Sequence, residues 1–480
     1  MIAHDLMAPI MFASMIVFML IGYPVAFSLG AVGLAFAFIS IEAGYFQPQF
    51  MQALADRVFG IVANDLLLAI PFFTFMGAIL ERCGLAEDLL KSMGQLFGRL
   101  RGGLAYSVII VGAILGAITG TVAASVIAMG VIALPVMMRH GYDMKLTTGV
   151  IAASGTITQL IPPSLVLIVL ADQMGVSVGA LYSGAIGPSL VQILLFCLFI
   201  ALVSLFKPQW VPALPPESRT LSSLALLSQC LWGILPSLGL IFLVLGTIIA
   251  GWATPTESGA MGAMGAFALA ALRGRLTWSL TRQSMETTMR ITTMVIFILI
   301  GATVFTLVFR GVDGDLWIEG LLTALPGGVI GFLVFVNLFV FILAFFLDFF
   351  EIAFIVVPLL APVVAKLGID PVWFGVLLCV TLQTSFMHPP FGFALFYLRG
   401  IAPPQVKSAD IYWGALPWVG LQLVMAGIVI VWPELVTHWL DKPLLVEPST
   451  ITIDIPMLDE LAPLDFGQPD SAPRGADTPR

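Results

Sequence analysis

Charge is scarce in this chain. Of its 480 residues only 10% are Asp, Glu, Lys or Arg, where a soluble domain carries about 25%. The hydrophobic share is 59% and the mean hydropathy +1.06, so a water-soluble globular enzyme is excluded and a polytopic membrane protein expected. Cysteine is also sparse. Cys83, Cys197, Cys230 and Cys379 are scattered, without metal-ligand spacing or a disulfide framework. No Walker loop, Gly-x-Ser-x-Gly or His-Glu-x-x-His occurs, so neither nucleotide hydrolysis nor a hydrolase or metalloenzyme centre is expected. Transport would then draw on an ion gradient or another chain. Nucleic acid is not an expected partner. The first apolar stretch, Ala8 to Ile39, lacks a basic leader and a small-x-small site, so no cleaved signal is expected. The net charge of −8 comes largely from residues 441–480, an acidic, proline-rich segment expected to be disordered.

What is present is a broken hydrophobic pattern, and it occurs twice. Gly116 to Leu165 is interrupted at Thr119-Gly120-Thr121-Val122-Ala123-Ala124-Ser125 and again at Gly155 to Ser164, around Pro162-Pro163. Two prolines remove two backbone donors and a helix cannot run smoothly through them. In hydrocarbon such backbone survives only where protein covers it or it lines a polar cavity. Adding 227 carries Pro135, Val136, Gly141, Asp143, Pro162 and Pro163 onto Pro362, Val363, Gly368, Asp370, Pro389 and Pro390, with Thr158 falling on Ser385. Paired interrupted segments in two halves point to the midplane site of a secondary transporter.

The expected fold is therefore an all-α polytopic membrane protein. It is built from inverted repeats, 8–206 and 229–432, joined by a polar linker, 207–228. Each repeat holds a re-entrant hairpin (104–137 and 328–365) followed by a discontinuous helix (146–171 and 372–398). Ala8–Ile39 reads as one tilted helix or two short ones; further spans are expected at 58–81 and 286–309. The basic loops 82–103 and 273–290 are placed in the cytoplasm, and 310–327, with one base against Asp313, Asp315 and Glu319, on the opposite face. The side of each terminus is left open.

Sodium requires hard oxygens. Candidate ligands in the first half are Thr119, Thr121, Ser125 and Thr158 with the carbonyls of Ile161 and Pro162; in the second, Thr381 and Thr384 with the carbonyl of Met387. Gly120, Thr156, Gln383 and Ser385 flank these breaks as substrate or coupling candidates. Each hydroxyl has an alternative, a bond back to the carbonyl four residues earlier. Asp348 and Glu351 lie inside an apolar run; they read as a proton or cation site or as the cap of a half-helix starting near Phe349. His388 reads as a titrating group or a packing residue, and Glu257 as a helix cap. Without a Lys or Arg in the midplane, an anionic substrate would be held by helix N-termini, hydroxyls and sodium. Proton coupling through Asp348, Glu351 or His388 stays open.

A set of motifs resembles the large membrane subunit of the tripartite ATP-independent periplasmic (TRAP) transporters, the DctM-like family. They are Ile70-Pro71-Phe72-Phe73 with Gly77, Gly98-Arg99-Leu100-Arg101-Gly102-Gly103, Thr119-Gly120-Thr121, His140-Gly141-Tyr142-Asp143, Leu160-Ile161-Pro162-Pro163-Ser164, Thr254-Pro255-Thr256-Glu257, Leu347-Asp348, and Leu367-Gly368-Ile369-Asp370-Pro371 with Phe374-Gly375. Phe386 to Tyr397 resembles the branch associated with mannitol or chloroaromatic compounds. The resemblance implies an elevator-type carrier of the bacterial inner membrane, taking up an organic acid with sodium. It implies two partners, a periplasmic substrate-binding protein and a small four-helix, DctQ-like membrane subunit. The rival readings are a stand-alone sodium/dicarboxylate carrier and a non-transporting channel or structural subunit.

Overall fold

The computed structural model describes residues 3–215, 223–389 and 392–440. Among these residues the secondary structure is helix throughout, without strands. Six helices are long and apolar enough to cross a membrane, rising to eight if each of two bent pairs counts as one span. Proline lies inside several of these helices, at Pro71, Pro135, Pro188, Pro358, Pro362 and Pro417, as membrane helices tolerate when neighbours satisfy the freed carbonyls.

The duplication seen in the sequence is carried by the elements. The first hairpin consists of Gly103–Thr119 and Val122–Arg139, and the second of Gly328–Leu343 and Phe349–Lys366. Shifted by 227, the arm 122–139 becomes 349–366, the observed bounds of its counterpart. The first broken helix is Met144–Thr156, a tight turn at Ile157–Gln159, and Leu165–Met174. The second is Pro371–Leu382, a tight turn at Gln383–Phe386, and Phe393–Ile401. Even the caps obey the shift. Asp143 accepts from the Leu146 amide at 3.0 Å and Asp370 from the Trp373 amide at 2.8 Å, each supplying an acceptor to a free helix N-terminus.

Of the two expected forms of Ala8–Ile39, the pair of short helices is observed, His4–Leu20 and Val25–Glu42, parted where Gly22 takes a φ of +90° before Pro24. Other boundaries differ from the sequence expectation. The expected span 58–81 is a bent pair, Pro48–Val62 and Asp65–Arg82, turned by 44° where Asn64 caps the second helix. The span expected at 286–309 begins earlier: Trp278–Gly311 is one helix of 34 residues capped by Thr277. At about 1.5 Å per residue it reaches some 50 Å, well beyond the hydrocarbon core. The linker is shorter than expected. Helix resumes at Ser223, and the segment before 216 is tied to the loops flanking the first hairpin: Gly102 and Asp143 amides donate to the Val211 and Trp210 carbonyls, and the Leu214 amide to the Gly98 carbonyl. The acidic segment 441–480 and residues 216–222 lie outside the described residues.

The basic segments gather at one end. Arg82 donates to the Thr287 hydroxyl at 3.0 Å and Arg273 pairs with Asp88 at 3.0 Å. This joins 82–103 to the start of Trp278–Gly311, whose far end leads into 310–327.

Candidate functional site

Each hairpin tip seats on the broken helix of its own half. At the first tip Gly120 closes the arm Gly103–Thr119 with a φ of +60°, and Thr121 is the extended residue before Val122–Arg139. A β-carbon at Gly120 would lie 3.7 Å from the Pro163 carbonyl and the Leu165 amide. Further down the arm the backbones nearly touch. A β-carbon at Gly112 would come within 2.6 Å of the Ser154 carbonyl, and one at Gly116 within 2.7 Å of the Thr158 Cα. Small residues four apart allow this approach in a membrane.

The first break is buried. Thr156 and Thr158 are fully covered, and Pro162-Pro163 is a cis peptide. The carbonyls of Ile161 and Pro162 accept no hydrogen bond from any described residue. Thr156 Oγ1 donates to the Ala153 carbonyl at 2.9 Å and Thr158 Oγ1 to Gly155 at 2.8 Å. In the second break Thr384 and Ser385 donate to the Thr381 and Leu382 carbonyls, both at 2.7 Å. The back-bonding alternative is therefore realised, but to the carbonyl three residues earlier, because the chain winds more tightly at both breaks. Such a bond uses only the hydroxyl's proton. Its oxygen lone pairs remain able to meet a cation, so back-bonding and ion ligation are compatible here.

The two breaks meet. Thr156 Oγ1 lies 3.4 Å from Met387 Sδ, and Gln422 Nε2 lies 3.1 Å from Thr156 Oγ1 and 3.8 Å from that sulfur. Cys379 Sγ contacts the Gln159 carbonyl at 3.5 Å. On the two broken helices and on Ser408–Val431, the oxygens Gln159 Oε1, Gln422 Oε1, Ser154 Oγ and Gln383 Oε1 are buried without a hydrogen-bond partner among the described residues. Buried polar atoms are rarely left so. They supply neutral hard oxygens beside the free carbonyls, a donor set suited to a small monovalent cation.

The second tip carries the carboxylates. Asp348 Oδ1 accepts from the Glu351 amide, and Glu351 Oε2 from the Asp348 amide, both at 3.0 Å. This reciprocal capping box starts Phe349–Lys366 and gives the cap reading a geometric basis. Thr254 and Glu257 form the same box at Pro255–Leu272. His388 is 1% exposed, with its ring 4.0 Å from and parallel to Phe345 and edge-on to Phe341 at 4.4 Å. Among the described residues neither ring nitrogen meets hydrogen-bond geometry, the Ala344 backbone being its nearest polar approach. The ring is thus packed by aromatics rather than by a polar relay.

Of the sequence candidates, Thr156 and Met387 are brought together at the crossing, while Thr158, Thr384 and Ser385 bond back within their own breaks and Gln383 is buried in the second. Thr381 is turned away from it, donating to the Asn337 side-chain oxygen on the second hairpin and to the Leu377 carbonyl. Ser125 is buried in the first turn of Val122–Arg139. The Thr119 side chain, Pro390 and Phe391 lie outside the described residues. Three residues missed by sequence reasoning are Asn337, Gln159 and Gln422. The signal was available for two of them: Asn337 and Gln422 are polar residues inside apolar helices.

Comparison with known proteins follows the same lines. The family described as "Tripartite ATP-independent periplasmic transporter, DctM component" matches residues 12–435. The C4-dicarboxylate TRAP transporter large permease protein DctM of Vibrio cholerae is 29% identical over 465 residues, 92% of this chain and 99% of the relative. Its namesake from Pseudomonas aeruginosa is 31% identical over 399 residues, 82% of this chain and 91% of the relative. Among solved structures the Alcanivorax borkumensis YdaH transporter superposes with a TM-score of 0.57, at 16% identity, over 80% of this chain and 88% of that one. That last likeness concerns the fold.

Proposed function

We infer from the premise that this chain belongs to the DctM family, and is the large permease component of a TRAP transporter, that it carries an organic acid across the bacterial inner membrane with sodium. The observation that bears most weight is the crossing of two broken helices at Thr156 and Met387, with a hairpin tip seated beside each break. Thr158, Ile161 and Pro162, with Thr119, Thr121 and Ser125 of the tip, would form one ion site. Thr384 and Met387, with the Asp348 hairpin, would form the other. Thr381 acts in the second through Asn337. The coupling ion and the acid are both cargo. Gly120, Thr156, Gln383 and Ser385 face the acid, whose charge is met by helix N-termini and bound sodium.

The two hairpins and broken helices are proposed to move as one body against Asp65–Arg82, Pro255–Leu272 and Trp278–Gly311, an elevator in which 8–206 and 229–432 are inverted repeats. The basic ends 82–103 and 273–290 face the cytoplasm. A periplasmic binding protein delivers the acid, and a small DctQ-like subunit flanks the scaffold. Support for the latter comes from a relative named DctMQ, a TRAP permease for isethionate. Relatives named for C4-dicarboxylates, sialic acid and isethionate support an anionic cargo.

The test is a sodium jump on proteoliposomes holding the full chain, read as charge displacement on a solid-supported membrane. Sodium should evoke a transient current and potassium none. Equal responses to both ions, or a response to protons alone, would overturn sodium coupling.

A further inference from the structure

An open cavity of about 340 Å³, lined by none of the crossing residues, lies between the long helices Asp65–Arg82 and Trp278–Gly311 on one side and Leu165–Met174 with Phe349–Lys366 on the other. Arg57 and Arg310 both line it. Neither guanidinium enters any ion pair of the described residues. One acid lines the same cavity, Asp172, and it is satisfied elsewhere. Its Oδ1 accepts from Asn64 Nδ2 at 2.7 Å and its Oδ2 from Gln173 Nε2 at 2.8 Å. Each carboxylate oxygen thus meets a neutral amide and neither arginine pairs with it, which leaves two arginine forks in a space the size of a small-molecule site. A guanidinium presents paired N–H groups that match a carboxylate.

We propose that this cavity is a carboxylate-binding vestibule, in which Arg57 and Arg310 take an organic acid at the end of the bundle opposite the basic loops, before it reaches the crossing. This rests on the transport reading above for the identity of the acid. It supplies the cationic group that the crossing itself lacks. The hydrogen bond from Asn64 to Asp172 spans the two walls of the cavity, so it holds the vestibule in the width seen here.

The experiment uses the full chain in phosphatidylcholine nanodiscs and phenylglyoxal, which adds to accessible guanidinium groups. Modification at each arginine is followed by peptide mass spectrometry, with succinate as the probe anion and potassium chloride at equal ionic strength as control. All three arginines are exposed; the expected result is at least threefold slower modification of Arg57 and Arg310 with succinate, and an unchanged rate at Arg99, which does not line the cavity. Unchanged rates at Arg57 and Arg310, or equal slowing at all three, would overturn the proposal. So would slowing by phosphatidylglycerol in the disc but not by succinate, which would make the pair a lipid-headgroup contact. The sodium-jump current on the same preparation reads coupling separately, so failure of the vestibule and failure of sodium transport are distinguishable.

Discussion

Replacing Gly116 with alanine tests whether the first hairpin holds the first break in shape. The added methyl would lie 2.7 Å from the Thr158 Cα and 2.9 Å from its Cγ2, against 3.4–4 Å for ordinary van der Waals contact. The obstacle is backbone, so it cannot rotate away. The arm and the break must separate by about 1 Å, at an overpacking cost of about 1–3 kcal/mol. The same separation moves Thr158, whose hydroxyl oxygen is a proposed sodium ligand. Gly427 serves as control, since a methyl there meets nothing within 4 Å; alanine in that helix should be neutral or stabilise by up to about 1 kcal/mol. Thermal unfolding of the full chain in detergent, at a series of sodium concentrations, reads both effects. Gly116→Ala should lower the midpoint and shift the sodium dependence to higher concentration. If Gly116→Ala behaves like Gly427→Ala in both respects, the close seating of hairpin on break does not shape an ion site.

Three further outcomes follow from the geometry. His388→Phe should retain stability within about 1 kcal/mol, because the ring packs on Phe341 and Phe345 and its nitrogens complete no hydrogen bond among the described residues; a pH dependence of uptake abolished by this change would instead make the histidine a proton carrier. Asp348→Ala removes the cap of Phe349–Lys366 and should cost about 1 kcal/mol, with Asp348→Asn recovering most of it in the same melting assay; an inactive but fully stable Asn variant would favour a coupling role for the carboxylate. Asn337→Leu should lower the unfolding midpoint by the equivalent of about 1 kcal/mol, since it removes the cross-helix acceptor of Thr381 and leaves that hydroxyl only the Leu377 carbonyl, and Thr381→Val should cost little more when added to it.

The sequence displays the duplication because prolines, glycines and cap residues mark element ends, and those ends recur at one spacing. Asp143 and Asp370 sit at equivalent starts and Pro162 and Pro389 at equivalent breaks, so the hairpins and broken helices are legible without coordinates. What joins the halves is not. Thr156 meets Gln422 across 266 residues and Met387 across 231, contacts that no local spacing encodes. The direction of the hydroxyl bonds was also hidden. Tighter winding at Ile157–Gln159 and Gln383–Phe386 shifts the acceptor from the fourth to the third preceding residue, a difference of backbone rather than of composition. The helical start at Trp278 escaped because charged residues there resemble a loop, yet Arg282 and Glu286 form a helical pair at 3.0 Å. Arg57 and Arg310 lie far apart in sequence, and only folding places them on one cavity.

The most direct test of ion sites at the two breaks is sodium-specific stabilisation of the purified chain, with potassium at equal ionic strength. A ligand binding only the folded state adds RT ln(1 + [L]/Kd), about 2.7 kcal/mol at a hundredfold excess over Kd. The account predicts a sodium-specific rise in the unfolding midpoint that is reduced by Thr158→Val or Thr384→Val and absent from the double variant. Equal midpoints in sodium and potassium for the unaltered chain, or a sodium-specific rise retained in full by the double variant, would contradict it.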